Sequence, residues 1–209
     1  MNVYIGTSGE LKNAYIGEVY EYSYDFRNKT LSQIQSDGWT YWWSATPTIN
    51  SWWITIPSDS NESWSKLYCS PSWLTSALST ANKITMNMYF YQWTTSSNSS
   101  DGVFYLAWPS SYTTNGTWMG WWIINNYEIF SRILWADLYR WIYTVSSWEY
   151  VQTIVIDFIN KNMRMVLGSI MDVTRTITDS QIATIKTLKY LRVWAKNNKV
   201  VRKINILVE

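Results

Sequence analysis

The sequence predicts an all-β protein built as an antiparallel β-sandwich with one or two short helices. Residues 150–168 contain two runs in which apolar and β-branched residues alternate with other residues, and this period of two is the strand signal. Between Tyr41 and Trp148 the chain breaks into short apolar pieces separated by Ser, Asn and Gly. No long stretch has the 3.6-residue period of a helix, so two stacked sheets are the favoured architecture.

Residues 150–168, YVQTIVIDFINKNMRMVLG, predict a β-hairpin. The turn is assigned to residues 159–162, because Asn tolerates the left-handed backbone of hairpin turns. The alternation places two sets on opposite faces: Ile154, Ile156 and Phe158 with Met163 or Met165 buried, and Thr153, Asp157 and Arg164 on the other face.

Further strands follow from the same alternation. Tyr20, Tyr22, Tyr24 and Phe26 form one continuously aromatic face of an early strand. Other strands are predicted at 52–56, 65–69, 83–93, 102–107, 121–125, 128–135, 137–145, 190–195 and 200–208.

Two short helices interrupt the strands. The first follows Thr30 as its N-cap and turns Leu31 and Ile34 inward. The second lies within 176–188, with Asp179 as the cap before Ile182 and Ile185.

A short repeat opens the chain, where Val3-Tyr4-Ile5-Gly6 returns as Ala14-Tyr15-Ile16-Gly17. It predicts two short strands joined by the connector TSGELKN. The chain is therefore divided into an N-terminal attachment segment, residues 1–22, and a sandwich domain, residues 23–209.

The composition excludes several functions. With 17 basic and 15 acidic residues, the net charge of +2 gives no electrostatic footprint for nucleic acid. The chain has no His and one Cys, which excludes a His-ligated zinc site, a Ser-His-Asp triad and a disulfide framework. We find neither a signal-peptide pattern nor a run of 18 apolar residues, so no membrane segment is expected. Cys69 is expected in the core.

Acidic residues give no catalytic or metal-binding pattern. Glycoside hydrolysis needs two carboxylates close together, whereas Glu128, Glu149 and Asp157 are isolated on separate predicted strands. We therefore expect no enzyme.

Calcium requires several converging oxygen ligands. Asp59, Asn98 and Asp101 lie in predicted loops without the spacing of a ligand loop, so no metal or other cofactor is predicted.

Both ends of the chain resemble concanavalin A-like (LamG-like) jelly rolls. Asp25-Phe26, a polar loop and Asp37-Gly38-Trp39 resemble the opening of such domains, and K-Y-L-R-V followed by K-I-N-I-L-V resembles their C-terminal half. The Y-I-G strands are similar to the start of many tailed-phage tail and fibre proteins.

The resemblance implies a non-enzymatic virion protein of a tail, fibre or decoration structure. Its implied partners are other virion proteins, further copies of itself and a host-surface glycan. A carbohydrate-binding module of a cell-surface protein is the alternative, and a glycan-cleaving enzyme comes third.

Tyr112, Asn115 and Trp118, in the segment SSYTTNGTWMG, are the candidate glycan-binding residues. Sugars stack on exposed aromatic rings and hydrogen-bond to amides. The alternative is that these rings belong to the core of an aromatic-rich sandwich.

The tryptophans have an unusual distribution. Of 16 tryptophans, 15 lie between Trp39 and Trp148, whereas glycine occurs 8 times and average usage would give about 15. Many of them, including Trp52, Trp64 and Trp73, occupy loop-like sequences where glycine is usual. We hypothesise that a subset is encoded by UGA codons that mean glycine in the source lineage. The alternative is a natural Trp-rich glycan binder.

Overall fold

A computed structural model describes residues 11–14, 19–42, 47–49, 51, 54–56, 65–92, 100–101, 104–107, 118–124, 128–133, 136–142, 148–169, 171–195 and 199–209. The strands are β1 Leu11–Ala14, β2 Val19–Asp25, β3 Thr40–Trp42, β4 Thr48–Ile49, β5 Ile54–Ile56, β6 Ser65–Cys69, β7 Lys83–Gln92, β8 Ser100–Asp101, β9 Phe104–Ala107, β10 Trp118–Ile124, β11 Glu128–Ile133, β12 Ala136–Ile142, β13 Trp148–Asp157, β14 Asn162–Leu167, β15 Met171–Thr176, β16 Tyr190–Ala195 and β17 Lys199–Val208. The helices are α1 Leu31–Ser36, α2 Ser72–Thr80 and α3 Asp179–Ile185.

Within these residues the strands form two antiparallel sheets, which confirms the predicted sandwich. The nine-stranded sheet has the order β1-β2-β17-β7-β13-β14-β15, with β4 and β5 joined to it through β17. The eight-stranded sheet has the order β12-β11-β10-β9-β16-β6-β3, with β8 beside β10. The inner faces of the two sheets enclose one hydrophobic core.

The predicted hairpin is confirmed as β13 and β14. Ile154 pairs with Met165, and Ile156 pairs with Met163. All four side chains are buried, as is Phe158, while Thr153 and Asp157 are partly exposed and Arg164 is exposed.

The turn of this hairpin differs from the prediction. The left-handed residue is Lys161, with φ of 51°, and Asn162 begins β14. Asn160 donates its backbone N–H and its side-chain amide to the carboxylate of Asp157. These bonds lower the pKa of Asp157, and they tie the turn to the strand that precedes it.

The aromatic face of β2 is confirmed. Tyr22, Tyr24 and Phe26 are buried, and the Phe26 ring lies 5.3 Å from that of Trp39 in an edge-on arrangement. The Tyr24 hydroxyl donates to Asp37 at 2.8 Å. The early strand is thereby joined to the turn that follows α1.

Helix α1 follows the prediction, and α3 corrects it. Thr30 caps α1 through a capping box with Gln33. In α3 the N-cap is Thr178, whose hydroxyl accepts the Gln181 N–H, and Asp179 is the first helical residue. The Asp179 cap was therefore wrong by one residue. The carboxylate of Asp179 instead pairs with Lys161 at 2.9 Å.

Four further features were missed or misplaced. Helix α2 was not predicted, and neither was the edge strand β15. Residues 11–14, assigned largely to a connector, form β1 and pair with β2. Glu149 and Asp157, assigned to separate strands, share β13. Residues 1–10 and 15–18, with most of the Y-I-G repeat, lie outside the described residues.

Gln152 is a polar residue on the inner face of the nine-stranded sheet. Its register neighbours Met88 and Leu167 are fully buried. Gln152 is 1% exposed, and neither Oε1 nor Nε2 has a hydrogen-bond partner. Burying an unpaired amide costs about 1–3 kcal/mol, so this position lowers the stability of the core.

We expect Gln152→Leu to raise the free energy of unfolding by about 1–3 kcal/mol, because it removes the desolvated amide and keeps a similar volume. Urea unfolding followed by circular dichroism measures this change. Gln152→Glu is the control and should lower stability, because it buries a charge. A Gln152→Leu protein less stable than the wild type would contradict the unpaired amide.

Candidate functional site

The candidate site lies on the outer face of the eight-stranded sheet, around β16. Leu191 and Val193 are fully buried in the core. Arg192 alternates with them and therefore belongs to the opposite face, away from the core. It is nevertheless only 6% exposed. A largely enclosed guanidinium thus lies on the outer side of the sheet, among polar and aromatic neighbours.

Tyrosines flank this arginine. Tyr68, on β6, pairs directly with Arg192, and Tyr190 is two residues away on the same strand. The rings of Tyr68 and Tyr190 lie 5.9 Å apart at an angle of 60°, and both side chains are partly exposed. Nearby, the Ser70 hydroxyl donates to the Lys189 carbonyl at 3.1 Å, which ties the end of β6 to the start of β16.

The backbone register extends this row across the sheet. Arg192 pairs with Tyr105 on β9, Tyr105 pairs with Gly120 on β10, and Gly120 pairs with Arg132 on β11. From β6 to β11 the row spans about 19 Å at the usual strand spacing. Gly120, which has no side chain, thus lies between Tyr105 and Arg132 in the register row.

Of the three predicted glycan residues, Trp118 belongs to the same region of the sheet. Trp118 begins β10 and pairs with Ala107, which pairs with Tyr190; the side chain of Trp118 lies outside the described residues. Tyr112 and Asn115 also lie outside them, in the segment 108–117 that joins β9 to β10. The two ends of that segment, Ala107 and Trp118, share one register row with Tyr190.

The sequence prediction missed Tyr68, Tyr190 and Arg192. A signal was present in K-Y-L-R-V, where Tyr190 and Arg192 alternate with apolar residues, so one face of that strand had to be polar. The partnership with Tyr68 depends on pairing between strands that are distant in sequence.

The three carboxylates considered in the sequence, Glu128, Glu149 and Asp157, do not form a pair suited to glycoside hydrolysis. Glu149 binds Arg202 at 2.6 Å. Asp157 lies eight residues further along β13, about 26 Å away, whereas paired catalytic carboxylates lie about 5–10 Å apart. Glu128 begins β11 in the other sheet.

Metal ligands do not cluster among the described residues, in which no group of three His, Cys, Asp or Glu could hold an ion. Of the calcium candidates, Asp101 lies in β8, whereas Asp59 and Asn98 fall outside the described residues.

Cys69 is a core residue, as predicted, and is buried. It pairs with Leu191 on the inner face. Burial raises the pKa of the Cys69 thiol well above its usual range, and burial likewise raises the pKa of Tyr22 beside it. The thiol stays protonated at neutral pH and is a poor nucleophile.

Comparisons with known proteins identify the architecture. No protein-family model matches the chain, and no curated protein matches its sequence. The structure is similar to peanut lectin bound to a 9-mer peptide, with a TM-score of 0.64, 10% identity and coverage of 92% of this chain and 98% of the lectin. Its fold is that of the legume lectins.

Two further structures share this lectin fold. Basic winged bean lectin in complex with Tn-antigen has a TM-score of 0.62 and 12% identity, and the match covers 92% of this chain and 99% of the lectin. A carbohydrate esterase of the Shiga toxin-encoding bacteriophage phi24B has a TM-score of 0.60 and 10% identity, with coverage of 90% and 97%. At these identities the likeness establishes the concanavalin A-like sandwich that both ends of the sequence resemble.

The lectin-fold sandwich includes residues assigned to the N-terminal segment. Strand β2 runs through the predicted boundary between residues 22 and 23, and it pairs with β17. The attachment role of residues 1–22 stays a prediction. Among the described residues, no helix has the length and apolarity needed to cross a membrane.

Proposed function

We propose that this lectin-fold protein is a non-enzymatic glycan-binding component of a phage virion. The observation that carries the proposal is the row of Tyr68, Arg192 and their register partners on the outer face of the eight-stranded sheet. The segment with Tyr112 and Asn115 begins and ends beside this row. Glycan binding is the expected role of such a surface on this fold.

The chemistry of the row suits a sugar. Pyranose rings present apolar C–H faces that stack on aromatic rings, and Tyr68 and Tyr190 offer such rings. Arg192 lies beside Tyr68 in the same register row and is largely enclosed, so the partly exposed tyrosine rings offer the contact surface for the sugar. In this proposal Tyr112, Asn115 and Trp118 complete the site from the β9–β10 side.

The virion setting is supported by the Y-I-G sequence repeat, which resembles the start of tail and fibre proteins, and by the lectin-like fold of a phage esterase. In this setting the partners are other virion proteins, further copies of this chain and a host-surface glycan. A carbohydrate-binding module of a cell-surface protein fits the fold equally well. Mass spectrometry of purified particles separates the two, since only the virion protein co-purifies with them.

We expect the purified chain to bind members of a bacterial and host glycan array, and Tyr190→Ala to weaken the strongest hit about tenfold, equivalent to about 1.4 kcal/mol. Isothermal titration calorimetry measures the affinity per site. Tyr89→Ala is the matched control, because Tyr89 is a partly exposed tyrosine on the outer face of the other sheet. Equal losses in both variants, or an array without any hit, would refute the site.

We further expect no turnover of bound glycans. Glu149 is engaged by Arg202 and Asp157 by Asn160, so we expect neither carboxylate to act as a general acid or base. Incubation with a polysaccharide panel should release neither reducing sugar nor acetate. Release that disappears in Glu128→Gln, Glu149→Gln or Asp157→Asn would make the protein an enzyme.

UGA recoding of some tryptophans is a related proposal. Trp39 is 1% exposed and contacts Tyr24 and Phe26, as expected of a genuine tryptophan. Trp73, assigned to a loop, instead lies in α2, 5.5 Å from the Tyr22 ring. Trp118, Trp121, Trp122 and Trp148 all fall within strands, whereas Trp52 and Trp64 lie outside the described residues.

The gene sequence tests this proposal. We expect UGA at a subset that includes Trp52, Trp64, Trp118 and Trp148, with UGG at Trp39 and Trp194. The helical setting of Trp73 makes UGG the expected codon there, because glycine destabilises helix interiors. UGG at all 16 tryptophans would end the proposal. Glycine at 118 would remove that ring from the sugar site and leave Tyr68, Tyr190 and Arg192 in place.

A further inference from the structure

The two sheets differ in how charge is distributed over their strands. On the nine-stranded sheet several basic side chains pair with carboxylates, as Arg202 does with Glu149 at 2.6 Å and Lys83 with Glu209 at 2.8 Å. In the eight-stranded sheet, the adjacent strands β10, β9, β16, β6 and β3 contain no Asp or Glu. The charged residues of these five strands are Lys66 and Arg192. The strands that form the glycan site are therefore charged with one sign.

The carboxylates described around this region are either engaged or distant. Asp37, in the turn before β3, pairs with Lys29 at 2.7 Å. Asp101, in β8, pairs with Ile123, which lies five residues along β10 from Trp118. At the usual rise per residue, these two positions on β10 are about 17 Å apart, which exceeds the Debye length of about 8 Å at physiological salt. Asp101 therefore does little to neutralise charge near the tyrosines.

Lys189 places an exposed positive charge beside the tyrosine pair. It directly precedes Tyr190 and is exposed. Its carbonyl accepts the Ser70 hydroxyl at 3.1 Å, and Leu188 and Leu191 on either side of the two residues are fully buried. Because the backbone is fixed in this way and the lysine stem is long and flexible, the ammonium can reach a ligand that lies on the Tyr190 ring.

A second basic residue lies at the other end of the tyrosine pair. Lys66 is two residues from Tyr68 on β6, about 7 Å along the strand. It pairs with Trp194, whereas Tyr190 begins the same strand β16 at its opposite end. Positions 66 and 189 therefore flank the two tyrosines along the direction of β6 and β16.

We propose that the glycan bound at Tyr68 and Tyr190 is acidic, and that Lys189 and Lys66 bind its carboxylate, sulfate or phosphate groups. This inference rests on the proposed glycan-binding function. Aromatic rings stack on the apolar face of a sugar whatever its charge. Cations that flank those rings, on strands without carboxylates, favour an anionic chain over a neutral one. Stacking supplies the contact common to all pyranoses, and charge supplies the discrimination between glycans.

Matched acidic and neutral ligands test this class of glycan. The probes are sialylated oligosaccharides with their desialylated forms, polygalacturonate with its methyl ester, and dextran sulfate with dextran. By isothermal titration calorimetry, we expect an acidic member to bind about tenfold more tightly than its neutral counterpart, as two exposed ion pairs would produce. A preference in the first two pairs identifies carboxylate as the bound group, and a preference in the third identifies sulfate.

The outcomes separate this inference from the function on which it rests. Neutral members that bind as tightly as acidic ones overturn the acidic class and leave glycan binding in place. A chain that binds none of these probes and no member of the glycan array loses both.

Single-charge variants assign the preference to the site. Lys189→Gln should weaken binding of the preferred acidic probe about threefold to fivefold, the loss expected for an exposed ion pair, and Lys66→Gln should weaken it similarly. Lys203→Gln is the matched control, because it removes the same charge from β17 in the other sheet, and its affinity should equal that of the wild type. Circular dichroism must show all three variants folded. Equal losses in Lys189→Gln and Lys203→Gln would mean attraction by net charge alone and would overturn the inference.

Discussion

The antiparallel pairing of β13 with β7 is the constraint on which the rest of the sandwich depends. Ten consecutive residue pairs join the two strands, from Trp148 with Gln92 to Asp157 with Lys83. Because side chains alternate with a period of two, this register decides which residues of both strands face the core. A slip of β13 by one residue against β7 would bury Thr153 and expose Ile154. Strand β17 pairs with β7, and β14 pairs with β13. Their own registers therefore follow from this one, and so does the choice of which of their residues face the core.

Much of the fold could be predicted because these strands alternate clearly. The alternation of Ile154, Ile156 and Phe158 with other residues predicts that they face the core. The same pattern predicts this for Tyr22 and Tyr24. Helix α2 was harder, since its Ser- and Thr-rich sequence has weak helix propensity; only the spacing of Leu74, Ala77 and Leu78 marks its buried side. The cap of α3 was misplaced because Thr178 and Asp179 are adjacent and both are good capping residues.

The candidate site was less predictable for a different reason. Tyr68 and Arg192 become neighbours only when β6 pairs with β16, and pairing between such distant strands leaves no local mark. Trp118 was selected for its sequence surroundings, and its register beside Ala107 and Tyr190 adds a spatial reason. The consecutive strands β16 and β17 belong to different sheets, although only residues 196–198 separate them in sequence. The sequence therefore predicts where strands occur much better than it predicts which strands pair with each other.

The position of β17 has a consequence for how the chain reaches this state. Strand β17 lies between β2 and β7, although both precede it by a long stretch of sequence. During synthesis, the aromatic strand β2 and the methionine-bearing strand β7 must therefore wait for a segment that leaves the ribosome much later. Folding through such non-local contacts is slow, and the unpaired edges of β2 and β7 are exposed to other chains in the meantime. Production of this protein should accordingly benefit from slow synthesis at low temperature, which keeps incomplete chains dilute.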